Sequence, residues 1–135
     1  MSQAPKNHAR FRKRILVVDD EPEVALVILQ ILERAGFEAS TISDPLKATA
    51  KASELRPDLI ILDFDMPKLV GSELAVLLKS SPETRKTPII FLSGMSDEDH
   101  HAIGAFSGAV AYLDKPVEDI KLIRTVRELV GPHEA

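Results

Sequence analysis

The chain contains no cysteine, which removes any disulfide framework, gives no sign of export and leaves no thiolate for a zinc site. It has no apolar run long enough to cross a bilayer, so no membrane-spanning helix is expected. The segment from Met1 to Arg14 is polar and lacks the apolar central stretch of a secretory signal. These absences point to the cytoplasm. Internal repeats and low-complexity stretches are also missing, which leaves an ordinary globule as the class.

What is present fits one domain. At 135 residues, 44% hydrophobic and 28% charged, the chain can bury a continuous core without metal or disulfide staples. The net charge of −4 hides an asymmetry. Before Ile15 there are five bases (Lys6, Arg10, Arg12, Lys13 and Arg14) and no acid, whereas from Ile15 onward 21 acids face 12 bases. An acidic body argues against nucleic-acid binding, although the basic tail alone has the charge to touch phosphate. The expected organisation is a basic, disordered tail over residues 1–13, a globular domain over 14–131 and a short C-terminal tail over 132–135.

Within the globule, short β-branched runs alternate with helical patterns, as in a parallel sheet covered by helices on both faces. Ile15 to Val18 is a continuous apolar run that ends in Asp19-Asp20-Glu21. Pro22 suits a first helical turn, and Val24, Val27, Ile28, Ile31, Leu32 and Ala35 form one apolar face that Gly36 stops. Phe37 to Ile42 reads as a weaker strand, and Asp44-Pro45 as a cap before an alanine-rich helix ending near Arg56. The strand through Asp58 to Leu62 runs into Asp63-Phe64-Asp65-Met66-Pro67, where Pro67 must begin a loop. A helix from about Ser72 to Lys79, a strand over Pro88 to Ser93, a glycine-weakened helix starting near Ser96, and a strand over Val110 to Leu113 follow. After the Lys115-Pro116 turn, Ile120, Leu122, Ile123, Val126, Leu129 and Val130 shape a final amphipathic helix stopped by Gly131-Pro132.

In an open parallel sheet, residues just past the strands' carboxyl ends meet in one crevice. Asp19 and Asp20, Asp63, Ser93 and Lys115 should therefore converge. Alone, each has a blander reading: a strand-end Asp is usually a cap, a terminal Ser likewise, and a lone Lys is usually solvated. Together they are harder to dismiss. Carboxylates packed at about 4 Å repel by about 4 kcal/mol per pair at an effective dielectric of about 20, so the acidic cluster asks for a cation. Mg²⁺ fits best, being held by one or two carboxylates, waters and a phosphate. Asp63 as nucleophile, with Mg²⁺ and the lysine neutralising phosphoryl charge, would yield an aspartyl phosphate.

These residues resemble the receiver domain of two-component response regulators over nearly all of Arg14 to Val130. The resemblance rests on Asp19-Asp20, on Asp63 to Pro67 with Gly71 following, on Ser93-Gly94, and on Tyr112-Leu113-Asp114-Lys115-Pro116. It implies a doubly wound, five-stranded parallel sheet of flavodoxin-like order 2-1-3-4-5. It further implies that Asp63 is the phosphoacceptor and that Asp19, Asp20, Asp63 and the Asp65 backbone carbonyl gather Mg²⁺. Lys115 and Ser93 would contact the phosphoryl group, Ser93 and Tyr112 would act as the switch, and the bond before Pro116 would be cis. Expected partners are a sensor histidine kinase or histidine phosphotransfer protein and a downstream protein target. The altered surface would involve the fourth strand, the helix after it, the fifth strand and the final helix. Val110-Ala111 stands where the family often has acids, and Ser93 replaces a commoner threonine; neither removes a required group.

Two other classes compete. Asp63-Phe64-Asp65 superficially matches the nucleophile and acid of haloacid-dehalogenase-like phosphohydrolases, but in that class the pair follows the first strand. A phosphorylation-independent binding module with a degenerate site is disfavoured because no expected site residue is missing. His100 and His101 are adjacent, and adjacent helical positions point about 100° apart, which reads as surface histidines and not as a chelate. Leu26, opposite the apolar face of the first helix, and Leu29 beside it are candidate contacts for the histidine-bearing partner. The expectation is a stand-alone receiver, a relay that takes part in its own Mg²⁺-dependent phosphorylation and dephosphorylation and is not otherwise an enzyme.

Overall fold

A computed structural model describes residues 12–63, 71–94 and 111–131. The helix expected to start near Ser96, the histidine pair, Asp65, Pro67 and most of both tails lie outside the described residues. The strands are β1 (Arg14–Val18), β2 (Glu38–Ile42), β3 (Leu59–Asp63), β4 (Ile89–Ser93) and β5 (Ala111–Asp114). The described helices are α1 (Pro22–Arg34), α2 (Ala48–Leu55, entered through a 3₁₀ turn Pro45–Lys47), α3 (Gly71–Lys79) and α4 (Asp119–Val130). All strand pairings are parallel and the order is β2-β1-β3-β4-β5, as the resemblance implies.

The apolar runs make the central strands because successive side chains point to opposite faces, so a strand covered on both sides needs apolar residues throughout. Ile15, Val17, Leu59, Ile61, Ile90 and Leu92 join Ile28, Leu32, Leu122 and Val126 in one core, beneath α1 and α4. Leu16, Val18, Ile60, Leu62, Ile89 and Phe91 join Ala48, Ala52, Leu74 and Leu78 in the other, beneath α2 and α3. Each strand thus feeds two cores by alternation. Among the described residues, no helix is long and apolar enough to cross a membrane.

Local signals set most of the ends. Asp44 accepts the Leu46 N–H at 3.0 Å and so caps the 3₁₀ turn that leads into α2. At the end of α1, Gly36 adopts φ 99°, and the Gly36 and Phe37 N–H groups donate to Glu33 and Leu32, turning the buried Phe37 back under the helix. Gly131, at φ 79°, closes α4. The Lys115–Pro116 peptide is cis.

Two positions depart from the expected helix faces. Val27 is 52% exposed, because Ala25, Ile28, Ile31 and Leu32 face the sheet and Val27 sits about 100° round from Ile28. Ile120 is 70% exposed for the same reason, lying well off the stripe of Leu122, Val126 and Leu129. Leu26 is exposed as expected, whereas Leu29 is partly buried and packs against the core.

Candidate functional site

The strand order reverses direction between β1 and β3, and there the residues after the two strands are left uncovered in a crevice. Asp19 and Asp20 follow β1, Asp63 ends β3, Ser93 ends β4, and Lys115 follows β5. The backbone ties these ends together: the Lys115 N–H donates to the Ser93 carbonyl at 3.0 Å, and the Asp19 N–H to the Ile42 carbonyl at 3.2 Å. Asp19, Asp63 and Ser93 are fully buried, while Asp20 and Lys115 are half-buried at the rim.

Asp19, Asp20 and Asp63 each offer a carboxylate oxygen within 4.8 Å of the others. The Lys115 ammonium donates to Asp63 Oδ1 at 2.8 Å, across 52 residues of sequence. Asp19 Oδ1 accepts the Glu21 N–H at 2.9 Å. Its other oxygen, Oδ2, is buried with no hydrogen-bond partner among the described residues. The Glu21 N–H is a partner that the sequence pattern did not flag. The signal was an Asp two residues before a helix start, which favours this local turn.

The electrostatics follow from burial and crowding. Asp19 is pushed up to about 6, first by burial and then by the Asp63 charge, against the opposing pull of the Glu21 N–H and of Lys115. Asp20 is raised too, by burial and then by Asp63. For Lys115, burial alone favours the neutral amine, but the hydrogen bond and charge of Asp63, with Asp19 and Glu21 behind it, outweigh this and hold the ammonium above its usual range. The described cluster is all oxygen and, with one lysine against three acids, still short of positive charge. An orphaned buried carboxylate oxygen beside two more carboxylates fits a hard divalent cation such as Mg²⁺, and offers neither the nitrogen nor the sulfur that zinc prefers.

Ser93 lies beside this group at the end of β4, opposite Asp114 in the β4–β5 register. Tyr112, in β5, is half-buried, its ring centroid 5.6 Å from that of Phe91 and inclined by 40°. Burial raises its phenol. Gly71 opens α3. The positions expected to converge and lying within the described residues are thus brought to one rim.

The family pattern described as the response regulator receiver domain matches residues 15–127. The DNA-binding response regulator MtrA of Mycolicibacterium smegmatis is 35% identical over 124 residues, covering 92% of this chain and 53% of that protein. The chain therefore spans about half the length of this relative, whose name gives no support to the expectation against nucleic-acid binding. Among solved structures, the chemotaxis protein CheY4 of Vibrio cholerae is 30% identical with a TM-score of 0.83, over 87% of this chain and 98% of that one. The receiver domain of the sensor histidine kinase PA1611 from Pseudomonas aeruginosa, solved with magnesium coordinated in its active-site cleft, is 27% identical with a TM-score of 0.81. It covers 89% of this chain and 98% of its own. With its sheet order and its sequence pattern agreeing over nearly the whole described length, this chain belongs to the response regulator receiver domain family of two-component phosphorelay signalling.

Proposed function

We propose that Asp63 accepts a phosphoryl group from a phosphohistidine of a sensor histidine kinase or histidine phosphotransfer protein, in the cytoplasm, and that the product switches a protein-binding surface. The observation that carries this is the 2.8 Å contact between the Lys115 ammonium and Asp63 inside a cluster of three carboxylates. An Asp63 carboxylate oxygen attacks phosphorus, the phosphorus–nitrogen bond to the donor imidazole breaks, and the imidazole leaves with the electron pair and takes up a proton. Lys115 orients Asp63 beforehand and then neutralises a phosphoryl oxygen, and the Ser93 hydroxyl donates to another. Asp19, Asp20 and Asp63, with the Asp65 carbonyl, would hold Mg²⁺. When bound, that ion supplies charge neutralisation for the phosphoryl oxygens. Hydrolysis of the acyl phosphate by water at the same rim returns the domain to its starting state.

The readout runs through Ser93 and Tyr112. Drawing the Ser93 hydroxyl toward the phosphoryl group frees space behind β4 into which the Tyr112 ring moves, biasing a two-state surface that includes β4, β5 and α4. The recipient of that surface is another protein. The name of the MtrA relative favours a second outcome, in which the surface governs nucleic-acid binding in a longer protein.

Intact-mass measurement after incubation with Mg²⁺ and acetyl phosphate tests the reading. The expected result is one phosphoryl group per chain, absent in Asp63→Asn and absent when the metal is chelated. Equal phosphate uptake by Asp63→Asn, or none by the parent chain, overturns it.

A further inference from the structure

A cleft of about 720 Å³ separates the end of α1 from α4, and its lining shares no residue with the carboxylate site. Three guanidinium groups line it, Arg34 from α1 and Arg124 and Arg127 from α4, together with Ile31, Ile120 and Ile123. None of the three arginines makes an ion pair among the described residues. Two acids share the rim, Asp119, whose Oδ1 accepts the Ile120 N–H at 2.9 Å, and Glu128, so the arginines outnumber the carboxylates by one. In a chain of net charge −4, this is a local excess of positive charge around the most exposed isoleucine of the described residues.

We propose that the α1–α4 cleft docks an acidic amphipathic helix of a partner protein, whose apolar residues cover Ile120 and Ile123 and whose carboxylates pair with Arg34, Arg124 and Arg127. The occupant's charge follows from three guanidinium groups that outnumber the two acids of the lining and make no ion pair among the described residues, since arginine forks bind carboxylates through two parallel hydrogen bonds. Its shape follows from the walls. Two helices present side chains and no open backbone edge, so a strand has nothing to add to, whereas a third helix can lay residues spaced three and four apart along the groove. Arg124 and Arg127 lie three apart on one side of α4, matching that spacing. A phosphodiester backbone would satisfy the arginines but leave the isoleucines exposed. The cleft shares no residue with the carboxylate site, and its occupant goes beyond the phosphoryl-transfer reading.

The test is amide NMR of the full chain titrated with a synthetic helical peptide bearing leucines at three- and four-residue spacing flanked by glutamates. A scrambled peptide of the same composition, a DNA duplex and a dilution series without peptide run alongside. Saturable shifts confined to residues 31–35 and 119–128, weakened at least about tenfold by the Arg124→Glu/Arg127→Glu double variant and reduced by salt, are expected. If circular dichroism finds the double variant unfolded, Ile120→Ser serves in its place and should weaken binding as well. Equal shifts from the scrambled peptide, tighter binding of the duplex at the same amides, shifts only elsewhere, or dilution-dependent shifts that mark a second copy of the chain would each overturn the proposal.

Discussion

Replacing Asp19 by asparagine should stabilise the metal-free protein at neutral pH, although it alters a fully buried residue of the site. Asp19 Oδ1 accepts the Glu21 N–H at 2.9 Å, which an asparagine oxygen can still do, while Oδ2 has no hydrogen-bond partner among the described residues. The new amide would donate toward the neighbouring carboxylates where the parent presents a repelling charge. In the parent, the carboxyl is moved from 3.8 to about 6. Ionising it in the folded state therefore costs about 3 kcal/mol at roughly 1.4 kcal/mol per pH unit, and about 2 kcal/mol once solvent screening at the open rim is allowed for. The sign follows from a folded value above the unfolded one: the carboxyl is free of penalty below about 3.8, and the penalty grows as pH rises through about 6 and is constant above. Thermal melts in chelator should thus separate the two proteins by roughly 8 °C near about pH 7.5, in favour of the variant, and by much less near about pH 4. Saturating Mg²⁺ should raise the parent more than the variant, because the variant has lost one of three carboxylates within 4.8 Å. A variant that melts below the parent in chelator at both pH values would refute the account of Asp19 as a buried charge in deficit.

Three further outcomes follow from the same contacts. Lys115→Met removes the ammonium 2.8 Å from Asp63 and should cost about 2 kcal/mol in metal-free urea unfolding, since a buried carboxylate loses its neutralising partner; an unchanged midpoint would contradict the pairing. Ile61→Ala, at a fully buried position in the central β3, should cost about 3 kcal/mol through lost burial and a residual cavity, and a loss under about 1 kcal/mol would mean that the two-sided packing is wrong. Leu26→Glu changes a residue 53% exposed on α1 and should leave stability within about 0.5 kcal/mol while slowing phosphotransfer from a histidine-bearing partner. Unchanged transfer would remove Leu26 from that interface.

Much of the fold was legible because its signals are local. A parallel strand buried on both faces must be apolar throughout, so Ile15 to Val18 and Leu59 to Leu62 announced themselves, and Gly36 and Asp44 marked ends through backbone chemistry confined to a few residues. Val27 and Ile120 were misjudged where an apolar residue was counted into a helix face without weighing its angle from the stripe's centre. The rim residues were legible only as a set, since nothing in Asp19, Ser93 or Lys115 alone separates a site from a cap or a solvated charge.

The amino-acid order by itself determined which segments are strands and that acids, a hydroxyl and a lysine stand at their ends, since hydrophobic periodicity and turn chemistry act over a few residues. Only the tertiary structure decided that Lys115 reaches Asp63 across 52 residues, that one Asp19 oxygen is buried without a partner, and that three arginines from two helices share a cleft. Desolvation and Coulomb energy depend on distance and burial in space, and sheet register and helix packing set both.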